Sequence, residues 1–353
     1  MKTWLSMTML ILAWAGPASA AEVLRESSSS VSTAAGVRAV VVENSKGTVQ
    51  VTASPDGQIH VTALKEVRAN SSSERRRLAD EISVNAENES GTYSVRVDYG
   101  SSSSIHLSFW DLMNGADLPR SELKLTMAIP PGLPLTLHSA SGDLRTSGIS
   151  GAQRLESSSG DMEVRDAGGD LDITTLSGDV QASNLKRARL HTSSGDCEIE
   201  DASGPVDVRT GSGDITVRGA KDSLDLISGS GDLDIDRAPR GVHAHTASGK
   251  IGVETASGSI GLDSASGDIE IGIQDPLARA EIGTESGDVE VTLRALAGAA
   301  VRLETSSGSI DAAATMSVKS ADRHVLVATL GSGRAPLVVR TSSGDIHVMN
   351  GGR

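Results

Sequence analysis

The pattern Ser/Thr-x-Ser-Gly, followed by Asp, Ser or Lys, occurs twelve times between Ser139 and Asp345. Its glycines are Gly142, Gly160, Gly178, Gly195, Gly213, Gly231, Gly249, Gly258, Gly267, Gly287, Gly308 and Gly344. The first seven are spaced by 18, 18, 17, 18, 18 and 18 residues, and the next two steps are 9 each. A repeat at a fixed period constrains the fold before any local propensity does, because each unit buries its apolar face only against its neighbours. The nine-residue steps mark half a repeat as a structural unit. Degenerate half-repeats near Gly151, Gly169 and Gly204 fall midway between full motifs. One coil therefore consists of two strands and two turns.

Around each motif, apolar and polar residues alternate: Val206-x-Val208, Ile215-x-Val217, Leu224-x-Leu226, Leu233-x-Ile235. Period-2 alternation over so few residues describes strands with one buried face. A hairpin meander meets the same local pattern, but a regular period favours parallel stacking, and parallel crossovers are right-handed in nearly all cases. The expected fold is all-β: a right-handed parallel β-helix, or solenoid, with ~18-residue two-strand coils. A small β-rich N-terminal cap region precedes it. The hydroxyls of Thr192, Thr210, Ser228 and Thr246 share parity with the buried positions. They are expected to point inward and to bond the turn or their stacked neighbours. Ala313 to Arg334 departs most from the repeat and reads as a bulge, a bent coil or part of a C-terminal cap. Ser343-Gly344-Asp345 then indicates that the solenoid resumes.

The ends of the chain differ from the repeats. Met1 to Ala20 reads as an export signal, with Lys2 at its start, an apolar run from Leu5 to Ala15 and the cleavage pattern Ala18-Ser19-Ala20. That run is too short to span a bilayer, which takes ~20 residues, and no transmembrane segment is expected elsewhere. The domain organisation is a signal over 1–20, a flexible Ser-rich leader over 21–35, a β-rich region without internal repeats over 36–134, and the solenoid over 135–353. Within the third region Ser71-x-x-Glu74 is a capping box opening a short helix. Its run Arg75-Arg76-Arg77 reads as a solvated face. The expected location is periplasmic or extracellular.

The formal charge of -14 argues against sequence-independent binding of nucleic acid, which needs a basic footprint. Cys197 is the only cysteine, so no internal disulfide is available, and it stands where other copies carry Leu, Ile or Val. It reads as a small core hydrophobe. Beyond the signal, the aromatic residues are Tyr93, Tyr99, Phe109 and Trp110. Phe109 and Trp110 lie in Ile105 to Leu118, which reads as an apolar plug over the first coil or as an exposed docking loop.

The candidate chemistry lies in two places. Asp143, Asp161, Asp179, Asp196, Asp214 and Asp232 would stack along one edge, where carboxylates ~5 Å apart repel by about 1 kcal/mol per pair even in water. Either each Asp accepts backbone N–H groups in its own turn, or cations sit between coils. Calcium-binding β-rolls use Gly-Gly-x-Gly-x-Asp, a pattern this chain lacks, and Lys250, Ser259 and Ser309 replace the Asp in three copies. His243-x-His245 puts two imidazoles on one outward face with Asp225 one rung away, a donor set that can hold a metal. The candidate metal residues are thus Asp196, Asp214, Asp232, His243 and His245. No nucleophile constellation emerges, and neither catalytic residues nor a cofactor are expected.

The opening Asn44-Ser45-Lys46-Gly47-Thr48-Val49, the break Ile129-Pro130-Pro131-Gly132 and the Ser-Gly-Asp repeats from Ser141 onward resemble a widespread bacterial family. Its members are exported adhesin candidates, built on a domain of unknown function. The resemblance covers roughly Val37 to Met349. It implies a non-enzymatic cell-envelope protein, an adhesin or binding scaffold whose rigid solenoid surface meets an envelope protein or a surface glycan. It brings no catalytic residues. The alternative is a structural or signalling accessory of the envelope that self-associates through solenoid ends. A calcium-stabilised solenoid and a carbohydrate-active enzyme stand further off.

Overall fold

The computed structural model describes residues 8–10, 23–69, 71–100 and 120–351. Apart from the short strand Thr8–Leu10, the expected export signal lies outside the described residues, as does the segment 105–118 with Phe109 and Trp110, read above as a plug or a docking loop. The chain divides into two compact units, 1–169 and 170–353. The division falls inside the repeats and not at their expected start at Leu135.

In the first unit, Ala39–Lys46 and Thr48–Ala53 meet at Gly47. Val40 pairs in parallel with Leu135 and Lys46 with Ser141, while Val49 pairs with Leu144. Residues 39–53 therefore form a coil of the same stack, and the expectation that this region lacks the repeat is corrected. The reason it hides is the insertion over 54–134, which breaks the sequence period but leaves the stacking intact. A Cβ on Gly142 would lie 1.8 Å from the Gly47 carbonyl oxygen. Gly47 has a φ of 91° and is the corner glycine of this coil.

The inserted segment supplies further strands. Thr92–Tyr99 and Arg120–Ile129 pair in parallel with Ala39–Lys46 and Thr48–Ala53. Antiparallel strands follow: Ile82–Glu89 on Thr92–Tyr99, and Ile59–Arg68 on Arg120–Ile129. Val23–Ser32 then pairs with Ile59–Arg68 along its full length. The expected flexible leader is thus mostly a strand. Its Ser-rich sequence carries little apolar surface, but backbone pairing does not require any, and Arg25 adds a bond to Glu66 at 2.8 Å. The helix Ser72–Asp80 begins as its capping box predicts, with the Glu74 N–H donating to Ser71 Oγ at 3.1 Å. Arg75 departs from the solvated face expected for it. It is buried, and its guanidinium donates to the Ala69 carbonyl at 2.8 Å.

In the second unit two parallel sheets face each other across a core of alternating side chains. In one, Arg187–Ser194, Val206–Ser212, Leu224–Ser230 and Val242–Ser248 stack in register, so that Thr192, Thr210, Ser228 and Thr246 align. In the other, Cys197, Ile215, Leu233 and Ile251 align. Their apolar side chains are buried, from Val208 and Val217 to Leu226 and Ile235. Cys197 belongs to this core, and burial first, then Asp196 and Asp179, pushes its thiol up to about 12.

The C-terminal strands do not follow chain order. Leu337 pairs with Ala280 on one side and Val301 on the other, both in parallel. Ile346 likewise lies between Val289 and Ile310. The coil containing Ser343-Gly344-Asp345 therefore resumes the stack inside it, between two earlier coils. Outside, Val325–Gly331 pairs antiparallel with Gly298–Thr305, and Ser317–Ala321 pairs antiparallel with Val325–Gly331. Of the readings offered for 313–334, the capping hairpin is the one that forms. An antiparallel pair ends a parallel stack, since the next strand no longer offers the slanted parallel bonding pattern.

Candidate functional site

The Ser-Gly-Asp corners carry the most visible chemistry of the sequence. Asp179 Oδ1 accepts the Asp196 N–H at 3.0 Å, Asp196 that of Asp214 at 2.9 Å, and Asp214 that of Asp232 at 2.8 Å. Asp232 accepts the N–H of Lys250 at 2.7 Å. The bond runs to the next coil and not, as expected, within the same turn. Each carboxylate is thus offset by a neighbouring amide dipole as well as by solvent. Lys250 ends this run, and its Nζ pairs with Glu270 at 2.7 Å. A second run passes from Asp268 to Asp288 to Asp345, and ends at Ser309. The Ser309 amide and hydroxyl hold the Asp345 carboxyl below its usual range.

The hydroxyls at the motif starts are buried as expected and bond in two ways. Thr175 and Thr192 donate to the carbonyl two residues on, each at 3.1 Å. Ser228, Thr246 and Ser264 donate instead to the corner glycine of the preceding coil, at 3.1–3.2 Å. Thr210 lies where one mode gives way to the other, and its buried Oγ1 has no partner.

His243 and His245 share an outward face on either side of buried Ala244. His243 lies in register between Asp225 and Gly261. His245 Nδ1 is 2.9 Å from Asp263 Oδ2, and Asp225 is engaged by Arg209 at 3.2 Å. Among the described residues, no group of three or more His, Cys, Asp or Glu side chains is placed to hold a metal ion. Asp196, Asp214, Asp232, His243 and His245 are not brought to one centre.

What the sequence reading missed is an open groove of about 1120 Å³ on the outer face of the sheet that carries His243. Gly261 and Gly283 lie along it, with His243, Asp263, Glu281 and Arg340 beside them and Arg240, Arg279 and Glu304 nearby. Arg340 Nε is 2.9 Å from Glu304 and its Nη1 3.4 Å from Glu281. Arg279 pairs with Glu281 and Arg302 with Glu304. Arg340 first, then Arg302, hold the Glu304 carboxyl below its usual range. The charges alternate along the rim, and among the described residues Arg240 has no carboxylate partner. The signal available in the sequence was the outward parity of the glycines in Ile260-Gly261-Leu262 and Ile282-Gly283-Thr284. Glu281 and Arg340 could not be paired from sequence, because their contact depends on the out-of-order coil.

A β-repeat scaffold with internally bonded corners and a polar outer face is the class this fold and surface define. The chain belongs to the Toastrack DUF4097 family, whose pattern matches residues 37–249 and 240–349. No curated protein is significantly similar to it. Among solved structures, a candidate cell adhesion protein from Clostridium sporogenes is 8% identical, with 93% of this chain and 100% of that one covered at a TM-score of 0.23. A candidate adhesin from Bacteroides fragilis is 11% identical over 94% and 98% of the two chains, with a TM-score of 0.25. A candidate lipid binding protein from Parabacteroides distasonis is 12% identical over 93% and 97%, with a TM-score of 0.29. Likeness this loose transfers no role.

Proposed function

We propose that the protein is an exported scaffold of the bacterial cell envelope, of the adhesin type, that acts by binding and not by catalysis. One observation carries this reading. Most polar groups of the corners are engaged by the fold itself: the Asp carboxylates accept amides of the next coil, and the hydroxyls of Thr175, Thr192, Ser228, Thr246 and Ser264 donate to corner carbonyls. A nucleophile needs a free side chain with a base in hydrogen-bond reach, and the corners do not supply one. The surface left over is the outward polar face of the sheets. Family membership over residues 37–249 and 240–349 supports the reading of the chain as a β-repeat scaffold. We take its coils as right-handed with ~18 residues each, the sense parallel crossovers adopt. Export rests on the signal pattern over 1–20. No helix among the described residues is long and apolar enough to cross a membrane.

Fractionation of cells producing the tagged full chain, beside a variant lacking residues 2–20, tests the location. The full chain should leave the cytoplasm and begin at Ala21, and the variant should stay inside. Recovery of the full chain in the cytoplasm with an intact N-terminus would sink the proposal. The purified mature protein should also bind washed envelope fragments saturably.

A further inference from the structure

We propose that the groove over Gly261 and Gly283 binds an uncharged, hydroxyl-rich glycan chain. This rests on the envelope-binding role above and names its ligand class.

A glycine inside a strand weakens it and commonly marks a place where another backbone or a ligand comes close. Most glycines of this chain have a structural reason. At Gly213 and Gly231 an added Cβ would lie 2.1 Å from a carbonyl oxygen of the neighbouring coil. Gly261 and Gly283 have no such reason. A Cβ on Gly261 would meet only the tip of His243, at 3.1 Å, and one on Gly283 nothing closer than 3.5 Å. Neither has a positive φ. Both face outward, since the residues beside them, Ile260, Leu262 and Ile282, are buried. Two side chains are missing from one face with no demand from the backbone, and the groove lies where they would be.

The rim selects the ligand. Asp263 and Glu281 offer acceptors, Arg240 and Arg340 offer donors, and His243 offers either. Planar polar side chains of alternating sign suit adjacent hydroxyls, each of which donates and accepts. A polyanion is disfavoured, because carboxylates accompany the guanidinium groups along the groove and the whole chain carries -14. A peptide adding as a strand needs a free sheet edge, and here each strand is already paired on both sides. A lipid chain needs an apolar cavity, whereas the apolar side chains beneath this groove point into the core.

The test uses the mature full-length chain on an array of neutral glucan, galactan and mannan oligosaccharides beside acidic, uronate-containing ones, and on washed envelope fragments before and after protease treatment. The wild type should bind at least one neutral glycan. Gly283→Val, alone or with Gly261→Val, should weaken that binding about tenfold or more by filling the groove, with the melting temperature kept or raised. Arg240→Ser, which breaks no ion pair, should also weaken it. Gly252→Val should bind as the wild type does, since Gly252 lies on the other sheet and is equally open, with nothing nearer than 3.8 Å. Retention of acidic glycans only, or of none, overturns the proposal. So does loss of envelope binding after protease treatment, which would indicate a protein partner. Equal envelope binding by the wild type and the filled-groove variants removes the groove but leaves the envelope role. Failure of the wild type to bind envelope fragments removes both.

Discussion

Gly213 and Thr246 show what a corner asks of single residues. Gly213 sits over Gly195 with a φ of 143°, and a Cβ there would lie 2.1 Å from the Gly195 carbonyl oxygen. Backbone on backbone cannot yield as a side-chain tip can. Gly213→Ala is therefore expected to cost about 2–3 kcal/mol or more, among the larger single-site effects. Gly283→Ala, in open space, should stay within about 0.5 kcal/mol of the wild type. Urea unfolding of the two variants checks this, and equal losses would show that the corners do not depend on close approach. The buried hydroxyls allow a second comparison. Thr246 is fully buried and bonds the Gly231 carbonyl at 3.1 Å, whereas Thr210 Oγ1 is buried without a partner. Thr246→Val should cost about 1 kcal/mol, and Thr210→Val should be neutral or stabilising, because it removes an unsatisfied polar atom. A Thr210→Val loss as large as that of Thr246→Val would mean that the two hydroxyls are equivalently bonded in solution.

At the scale of elements, the out-of-order coil carries the sharpest expectation. Ala335–Ser343 and Ile346–Asn350 lie between strands that precede them in sequence. Removing residues 335–353 should then do more than trim an end. Gly298–Thr305 and Ile310–Ala312 would lose their parallel partners, and with them the capping hairpin built on Val325–Gly331. Limited proteolysis of the truncated chain should leave a protected fragment ending near Arg294. A protected fragment reaching Arg334 would contradict the pairing order. The same coil shows where sequence reading stops. Equal spacing made the register of Thr192, Thr210, Ser228 and Thr246 legible, together with the parity that buries them. It also placed His243 beside Asp225. It could not show that His245 bonds Asp263, because both imidazoles have carboxylates within a rung and side-chain conformation decides between them. Nor could it reveal Gly47 as a corner across an inserted segment, or bring Arg340 to Glu281, since both depend on which strands become neighbours. The candidate groove was therefore legible only as two unexplained glycines.

Over the whole molecule, titration gives stability two limits. Glu43, Glu156, Glu304 and Asp345 are all held below their ordinary values. For three of them the leading cause is a hydrogen bond from arginine: Arg96 for Glu43, Arg154 for Glu156 and Arg340 for Glu304. For Asp345 it is the Ser309 amide. A carboxyl lowered on folding contributes stability above its unfolded value, 4.5 for Glu and 3.8 for Asp, and loses it as pH falls through the folded value. These groups are largely exposed, so each contributes little and the acid limb should be shallow. The alkaline side rests on buried neutral groups. Cys197 is moved from 9.0 to about 12, chiefly by burial, and burial raises the Tyr99 phenol as well. For an acid raised on folding the sign reverses. The contribution is complete below the unfolded value and disappears as pH climbs through the folded one, because the unfolded chain ionises first. The urea midpoint should therefore decline below about pH 4.5 and again above about pH 9. Cys197→Ala should lower stability at neutral pH by leaving a small void in the core, yet flatten the alkaline decline. If the variant and the wild type lose stability in parallel above pH 9, the thiol is not the buried neutral group that sets that limit.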